Sequence, residues 1–275
     1  MEAKKHFRRN VALGITIFLF ITLIAIRVFF IFNSGVDDYN IRIWAMCYNI
    51  VAIMGALSGL YLSTLWGGYK SVIGRISLAF ALGLLAQAFG QNVYNYLYFT
   101  QGFDIQPPYP GLGDVGFFGS VLLYIYGAFG LAKASGVKVS LDSFISKIQA
   151  IVIPVALLSF SYWFFLKDYI IDSGNLMKTF LDFGYPLGQA FYVSIVILIL
   201  LLSRKVLGGI MKNPVMFFLV ALVFQYFSDF IFLYQVNQGT FVIGGLVDCM
   251  YFASYFIMTL SLIQLGSAFE KIKNS

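Results

Sequence analysis

The sequence predicts an all-α membrane protein, built as a bundle of about eight transmembrane helices. Hydrophobic residues fill 60% of the 275 positions and charged residues only 11%, too few for the polar shell of a soluble domain. The apolar residues also fall into long runs, and most Lys and Arg residues fall into short clusters between those runs. Lipid is therefore the predicted solvent of this chain, and its charge clusters need no nucleic-acid partner.

The length of the apolar runs sets the number of spans. Roughly 20 residues are needed to cross about 30 Å of hydrocarbon as a helix, whereas a barrel strand needs only about 10. The predicted spans are 11–32, 41–65, 73–99, 113–132, 145–166, 185–202, 215–234 and 243–265. Residues 1–275 are thus predicted to form a single transmembrane domain.

The distribution of positive charge predicts the orientation. Fourteen Lys and Arg residues fall at the termini and in the even-numbered loops, whereas the other side holds only Arg42, Lys167 and Lys178. Positively charged loops stay in the cytoplasm, so both termini are predicted to be cytoplasmic. The basic N-terminus followed by an apolar run is also the pattern of a signal peptide, but this run is long and no small-residue cleavage pattern follows it.

Composition excludes several classes of function. The chain has one histidine, His6, and two cysteines, Cys47 and Cys249, which is too few for a zinc or Cys-rich site. Signatures of intramembrane hydrolases, prenyl transferases and nucleotide-binding loops are missing, so we expect no enzymatic activity, cofactor or metal. No N-x-[ST] acceptor occurs, and we expect a multi-pass protein of a prokaryotic inner or plasma membrane.

Two pairs of spans contain similar sequences. The third span carries Gln87 and Gln91, and the seventh carries Gln225 and Asp229 at the same spacing. Chance similarity among apolar, Gly-rich helices is the alternative. The similarity favours internal hairpin repeats that run in the same direction and are related by an axis along the membrane normal.

The next spans of both pairs open with a turn followed by an aspartate. Glycines precede Asp114 and Asp248, and the sixth span opens similarly but carries Gln189. A carboxylate near a helix N-terminus accepts its free N–H groups, and this capping alone accounts for Asp114. Asp248 is predicted to lie deeper in its span.

Polar residues within the spans mark the candidate site. An ionisable side chain costs about 2.5–3.5 kcal/mol inside a membrane, and Arg27, Asp229 and Asp248 are candidates for this reason. They lie in the predicted outer halves of their helices, at the depth of several amides. The candidate ligand-binding residues are Arg27, Gln91, Asn92, Asp114, Gln189, Asp229 and Asp248.

Two interpretations of this group remain open at this point. In the first, Arg27 reaches the outer headgroups or pairs with Asp229 or Asp248, and the amides bridge helices. In the second, the group lines an outward-facing cavity that binds a small polar or cationic molecule. A proton relay or ion path is a further alternative.

The openings of three spans carry a resemblance to a known family. Tyr109-Pro-Gly-Leu-Gly-Asp114, Tyr185-Pro-Leu-Gly-Gln189 and Gly244-Gly-Leu-Val-Asp248 resemble the multi-span membrane-sensor region that precedes diguanylate-cyclase, PAS or histidine-kinase domains in bacterial signalling proteins. The sixth span departs from this pattern by carrying glutamine. About ten residues (266–275) follow the last predicted span, so the resemblance implies a stand-alone module or a fragment of a longer protein.

The expected function is that of a sensor- or receptor-like module. It would bind a small ligand in the polar cavity and couple to a separate cytoplasmic signalling protein or a membrane partner. A transporter or channel for small molecules or ions is the alternative, since repeats are common in transporters. A non-catalytic membrane assembly subunit is the second alternative.

Overall fold

The computed structural model describes residues 2–34, 39–103, 107–135, 143–167, 169–171, 173–202 and 209–273. Within these ranges the regular secondary structure is helical, without strands. A helix bonds its backbone N–H and C=O groups internally, and this is what long apolar segments require in lipid.

We number the α-helices of the described residues in chain order. They are α1 (Glu2–Ser34), α2 (Tyr39–Cys47), α3 (Ile50–Leu65), α4 (Val72–Gln101), α5 (Leu112–Ala134), α6 (Phe144–Ser161), α7 (Leu176–Leu202), α8 (Lys212–Asn237) and α9 (Leu246–Lys273). A π-helical turn at Tyr162–Leu166 continues α6. Short 3-10 turns at Gly68–Lys70 and Gly209–Met211 precede α4 and α8.

Eight helical segments of the described chain are long and apolar enough to cross a membrane. The second of them combines α2 and α3, which are separated only by a turn at residues 48 and 49. The prediction of an all-α protein is therefore confirmed for the described residues, as is the prediction of eight helices that are long and apolar enough to span a membrane.

Helix α7 begins nine residues before the predicted start of the sixth span, at Leu176 instead of Tyr185. The side-chain oxygen of Asn175 caps the helix by accepting a hydrogen bond from the Lys178 N–H, 3.0 Å away. Pro186, which the sequence placed at the helix opening, lies inside α7 instead.

Asp182 anchors the early turns of α7 to two loops. Its carboxylate accepts hydrogen bonds from the hydroxyls of Tyr109 and Tyr169, each at 2.6 Å. Burial and the bond to this carboxylate raise the pKa of Tyr109 above its ordinary value. These turns contain charged residues, so the apolar run that predicted the span began only after them.

Six helices pack in a closed ring. Helix α3 packs on α4, α4 on α5, α5 on α7, α7 on α8 and α8 on α9, and α9 packs back on α3. Side chains fill the centre of this helix ring. There the aromatic side chains of Phe80 (α4) and Phe218 (α8) stack with their centroids 4.5 Å apart.

Helices α1 and α6 lie outside this ring. α1 packs against α9, α2 and α3, and α6 packs against α7. Only 6% of an 18-residue stretch in the first span and in the fifth is buried, against 39–56% in the other six spans. The remaining surface of α1 and α6 is apolar and suited to lipid.

The ring consists of two sets of three antiparallel helices. We call α3–α5 the first half and α7–α9 the second half. Where the halves meet, the neighbouring helices run parallel. The facing residues are Gly55–Thr259, Gly59–Leu262 and Leu62–Gly266 between α3 and α9, and Phe118–Gly184 and Val121–Gly188 between α5 and α7.

The two ends of the ring differ in chemistry. We call the end at which α5 and α9 begin the carboxylate end, because Asp114 and Asp248 lie in the first turns of these helices. The other end, at which α3, α5, α7 and α9 finish, is the opposite end.

Gly59 provides a test of the packing between α3, α4 and α9. A Cβ added there would lie 2.8 Å from the Ala81 Cβ and 2.9 Å from the Leu262 Cδ1, which is too close for either neighbour. We expect Gly59→Ala to lower the free energy of unfolding by about 1–3 kcal/mol. The measurement is the thermal unfolding midpoint of the purified protein in detergent.

Gly119→Ala is the matched control, because a Cβ added at Gly119 of α5 meets nothing within 4 Å. This variant should be neutral or more stable by up to about 1 kcal/mol, since alanine favours helix over glycine. Equal destabilisation of the Gly59 and Gly119 variants would contradict the close packing of α3.

Candidate functional site

Asp114, in the first turn of α5, uses both carboxylate oxygens. Its Oδ2 accepts a hydrogen bond from the Gly111 N–H at 2.8 Å, and its Oδ1 accepts one from the Tyr185 hydroxyl of α7 at 2.8 Å. The first bond is the capping interaction that the glycine–aspartate opening favours. The second joins the first half to the second half.

Asp248 also lies in the first turn of its helix, which corrects its predicted position deeper in the span. The prediction began the last span at Ile243. Helix α9 begins instead at Leu246, because Gly244 adopts a φ of 80° and the chain turns there before the helix starts.

Asp248 has the same two kinds of partner as Asp114. Its Oδ2 accepts a hydrogen bond from the Gly244 N–H, and its Oδ1 accepts one from the Tyr48 hydroxyl at 3.0 Å. Tyr48 lies in the turn directly before α3. A tyrosine–aspartate hydrogen bond therefore crosses each of the two parallel interfaces at the carboxylate end.

Arg27 of α1 supports the turn next to Asp248. Its Nη2 donates to the carbonyl oxygens of Gly244 at 3.0 Å and Gly245 at 3.5 Å, and its guanidinium lies 5.3 Å from the centre of the Trp44 ring. Within the described residues, the side-chain hydrogen bonds of Arg27 thus go to backbone carbonyls. The arginine stabilises the residue whose N–H binds Asp248.

Two glutamines lie near the middle of the ring, each bonded to a serine of the next helix. Gln87 of α4 donates to Ser120 of α5 at 2.7 Å, and Gln225 of α8 accepts from Ser254 of α9 at 3.0 Å. The hydroxyl of Tyr255 on α9 donates to Gln87 at 3.0 Å, which links the second half to the first.

Asp229 of α8 is the carboxylate furthest from a helix end. Its Oδ1 accepts hydrogen bonds from the Tyr251 hydroxyl at 2.8 Å and from the Gln225 amide at 3.1 Å, and its Oδ2 accepts one from the Tyr192 hydroxyl at 3.3 Å. It is 7% exposed. No Lys or Arg in the described part of the chain pairs with it, so three neutral donors hold a buried acid.

Tyrosines surround this carboxylate. Tyr192 of α7 and Tyr251 of α9 bind it directly, and the rings of Tyr124 of α5 and Tyr255 of α9 pack against theirs. The Tyr124 hydroxyl is buried and has no hydrogen-bond partner among the described residues, although its ring lies 6.2 Å from that of Tyr192.

Gln91 and Asp248, two of the predicted site residues, share one partner, Tyr48. The Tyr48 hydroxyl lies 3.5 Å from the Gln91 side-chain oxygen as well as 3.0 Å from Asp248, and the Gln91 amide donates to Asn95 at 3.3 Å. Tyr48 therefore connects these two predicted residues through one hydroxyl.

The other predicted residues lie apart from this pair. Asn92 accepts a hydrogen bond from Asn49 at 2.9 Å, and Gln189 is buried in α7 and takes part in none of the bonds above. Asp114 and Asp229 have their own partners. The predicted site residues therefore do not form one cluster. They belong to several separate hydrogen-bonded groups along the ring.

The sequence analysis did not identify the tyrosines that hold the three aspartates. In apolar helices, tyrosine is usually explained by packing or by the membrane interface, and neither explanation requires a partner for the hydroxyl. One feature of the sequence could have identified two of these tyrosines, namely their spacing. Tyr185 follows Tyr48 by 137 residues, close to the 134 residues that separate Asp114 and Asp248.

The chemistry of the site is that of hydrogen bonding and charge. Among the described residues, no group of three or more His, Cys, Asp or Glu side chains is placed to hold a metal ion, and both cysteines are free thiols. The ring offers instead three buried carboxylates, Asp114, Asp229 and Asp248, of which Asp229 is the one that lies away from a helix N-terminus and is held by tyrosine hydroxyls and a glutamine amide.

Comparisons of the chain with protein-family models, with curated proteins and with solved structures find no match. The resemblance to bacterial sensor regions therefore stays a prediction, and the function has to be argued from the geometry of the site.

The two tyrosine–aspartate bonds can be tested by removing single hydroxyl groups. Tyr48→Phe and Tyr185→Phe each leave a buried carboxylate oxygen without its donor, so each should lower the free energy of unfolding by about 1–3 kcal/mol. The two losses should add within about 0.5 kcal/mol, because the bonds lie in different interfaces. Thermal unfolding of the single and double variants measures this.

Tyr126→Phe is the control for this test, because Tyr126 of α5 is 48% exposed. It should unfold at the wild-type temperature. A double variant Tyr48→Phe, Tyr185→Phe as stable as the control would contradict the assignment of these bonds to the joints between the halves.

Proposed function

We propose that this chain is a sensor- or receptor-like membrane module. A small ligand binds among the polar side chains on the inner face of the ring, reached from the carboxylate end. Binding shifts the two halves against each other, and a partner protein at the opposite end responds to the shift. The observation that carries this proposal is Asp229, a buried carboxylate without a countercharge.

Repetition within the chain supports a division into two halves that can move. Gln225 follows Gln87 by 138 residues, as Asp229 follows Gln91. Ser254 follows Ser120 by 134 residues, as Asp248 follows Asp114. We infer that spans 1–4 and 5–8 are two copies of one unit, related by an axis along the membrane normal.

The polar contacts agree with this inference. Each half has a Gln–Ser bond between its second and third ring helices, and each third ring helix begins with an aspartate that binds a tyrosine of the other half. Two equivalent units joined by a few hydrogen bonds provide the paired interfaces at which rigid-body shifts occur.

The opposite end of the ring favours a sensor over a transporter. Among the described residues, no buried carboxylate or amide lies there. The hydroxyls of Ser63 and Ser77 bond to the carbonyls of Gly74 and Gly59, and the Ser135 hydroxyl is buried without a partner. Glycines bring α3, α4 and α9 into close contact there. A through-path for a polar solute would need several polar side chains facing inward, and the described residues place few at this end.

The distribution of basic residues along the sequence supports a direction of signalling, from the carboxylate end to the opposite end. Since basic residues cluster in the loops of the opposite end, we propose that this end and both termini are cytoplasmic and that the carboxylate end faces outward. The ligand then comes from outside, and the partner is a separate signalling protein in the cytoplasm or the membrane.

A transporter or channel is the second candidate, because repeated units around a midplane site are typical of secondary transporters. Flux measurements in proteoliposomes separate the two candidates. The sensor proposal predicts no flux of a bound ligand above that of empty vesicles.

Distance measurements between spin labels test the sensor proposal. Labels on Lys133→Cys (α5) and Leu201→Cys (α7) report on the two halves at the opposite end, where both positions are exposed. Each compound of a polar and cationic metabolite panel that raises the unfolding temperature should change this distance by about 1–2 Å or more.

A label pair within the first half, Tyr69→Cys with Lys133→Cys, is the matched control and should keep its distance. The natural cysteines, Cys47 and Cys249, are replaced by alanine in both proteins. Binding that leaves the distance between the halves unchanged, or that moves both pairs equally, would contradict the proposed coupling.

A further inference from the structure

We propose that the ligand of the Asp229 site is a small organic ammonium ion, bound by the carboxylate and the tyrosines around it. The inference rests on the proposed function and adds the chemical class of the ligand. It commits to the side of α8 at which Tyr192 of α7 and Tyr251 of α9 donate to Asp229 and Tyr124 of α5 packs against Tyr192.

Charge is the first argument. A buried carboxylate is costly in a membrane unless an opposite charge compensates it. Asp229 has three neutral donors, Tyr192, Tyr251 and Gln225, and no Lys or Arg of the described residues pairs with it. A ligand gains the most binding free energy at this site if it carries the positive charge that the described residues do not supply.

The equivalent position in the first half gives the second argument. Gln91 occupies that position, and its side-chain oxygen also lies near a tyrosine hydroxyl, that of Tyr48. At this position of the fold, the oxygen of a neutral amide is therefore sufficient to accept a hydrogen bond from a tyrosine hydroxyl. The negative charge of Asp229 is an addition that folding does not explain.

The Tyr124 hydroxyl gives the third, independent argument. Tyr124 is 1% exposed, its hydroxyl has no hydrogen-bond partner among the described residues, and its ring lies 6.2 Å from that of Tyr192, which donates to Asp229. An unpaired hydroxyl in such a setting costs about 1–3 kcal/mol. A ligand N–H donor beside Asp229 would satisfy both the carboxylate and this hydroxyl oxygen.

The rings define the class of cation. Tyr192 and Tyr251 direct their hydroxyls at the carboxylate, and their rings pack against those of Tyr124 and Tyr255, with centroids 6.2 Å apart in both pairs. A site walled by aromatic rings suits an organic ammonium group, whereas a transition-metal ion takes several carboxylate, imidazole or thiolate ligands, and no group of three or more such side chains lies together among the described residues.

The experiment uses the purified full chain in detergent at constant ionic strength. Methylammonium and tetramethylammonium chloride are titrated against NaCl and KCl, with tert-butanol as a neutral compound of similar shape. We expect the ammonium salts to raise the unfolding temperature saturably, and tert-butanol and the alkali salts to leave it unchanged.

Asp229→Asn should weaken the apparent ammonium affinity at least about tenfold, which is the loss expected for one ionic contact. Asparagine preserves the shape, and its oxygen still accepts from Tyr251 and Gln225. Tyr124→Phe breaks no hydrogen bond of the described residues and should weaken the binding of methylammonium more than that of tetramethylammonium, which has no N–H. Asp114→Asn is the control carboxylate and should bind ammonium as the wild type does.

The outcomes separate this inference from the proposed function. Saturable stabilisation that is equal in wild type and in Asp229→Asn overturns the site. Stabilisation by Na⁺, or by acid without any ammonium, overturns the ligand class in favour of a metal ion or a proton. Stabilisation by a neutral metabolite alone also overturns the ligand class, and it leaves the sensor proposal intact if the distance between the halves still changes.

Discussion

The structure depends on one constraint, which is that a polar group inside a membrane must find its partner within the protein. Three aspartates of the ring meet this constraint with tyrosine hydroxyls. For Asp114 and Asp248 the tyrosine belongs to the other half, so the same bond that satisfies the acid also joins the halves. Removing either partner leaves a buried polar group without its hydrogen bond. The first turns of α5 and α9 therefore depend on the contact between the halves.

Asp229 meets the same constraint differently. Its donors Tyr192, Tyr251 and Gln225 lie within the second half, and it lies away from the helix N-termini at which Asp114 and Asp248 are capped. The aspartates at the helix ends join the halves, whereas the bonds of Asp229 do not. Under the proposed function, a ligand would act on Asp229 without breaking the two bonds that join the halves.

The sequence could predict those features that depend on local composition. The length and polarity of the apolar runs predict eight helices. The glycine–aspartate opening of α5 predicts that Asp114 caps the helix. Long-range partners are different, because the pairing of Tyr48 with Asp248 joins residues 200 positions apart and has no local pattern. The early start of α7 was missed for a related reason, since Asp182 is stabilised there by Tyr169, 13 residues earlier, and by Tyr109, 73 residues earlier.

Closure of the ring by the parallel contact between α3 and α9 is the central claim, and a disulfide tests it most directly. A Cβ at Gly55 would lie 3.1 Å from the Thr259 Cβ, so Gly55→Cys and Thr259→Cys should form a bond in a protein that lacks Cys47 and Cys249. After cleavage at a protease site inserted at residues 238–240, the fragments should stay joined until reduced. Separation without reductant, as expected for the control pair Gly119→Cys and Thr259→Cys, would contradict the closed ring.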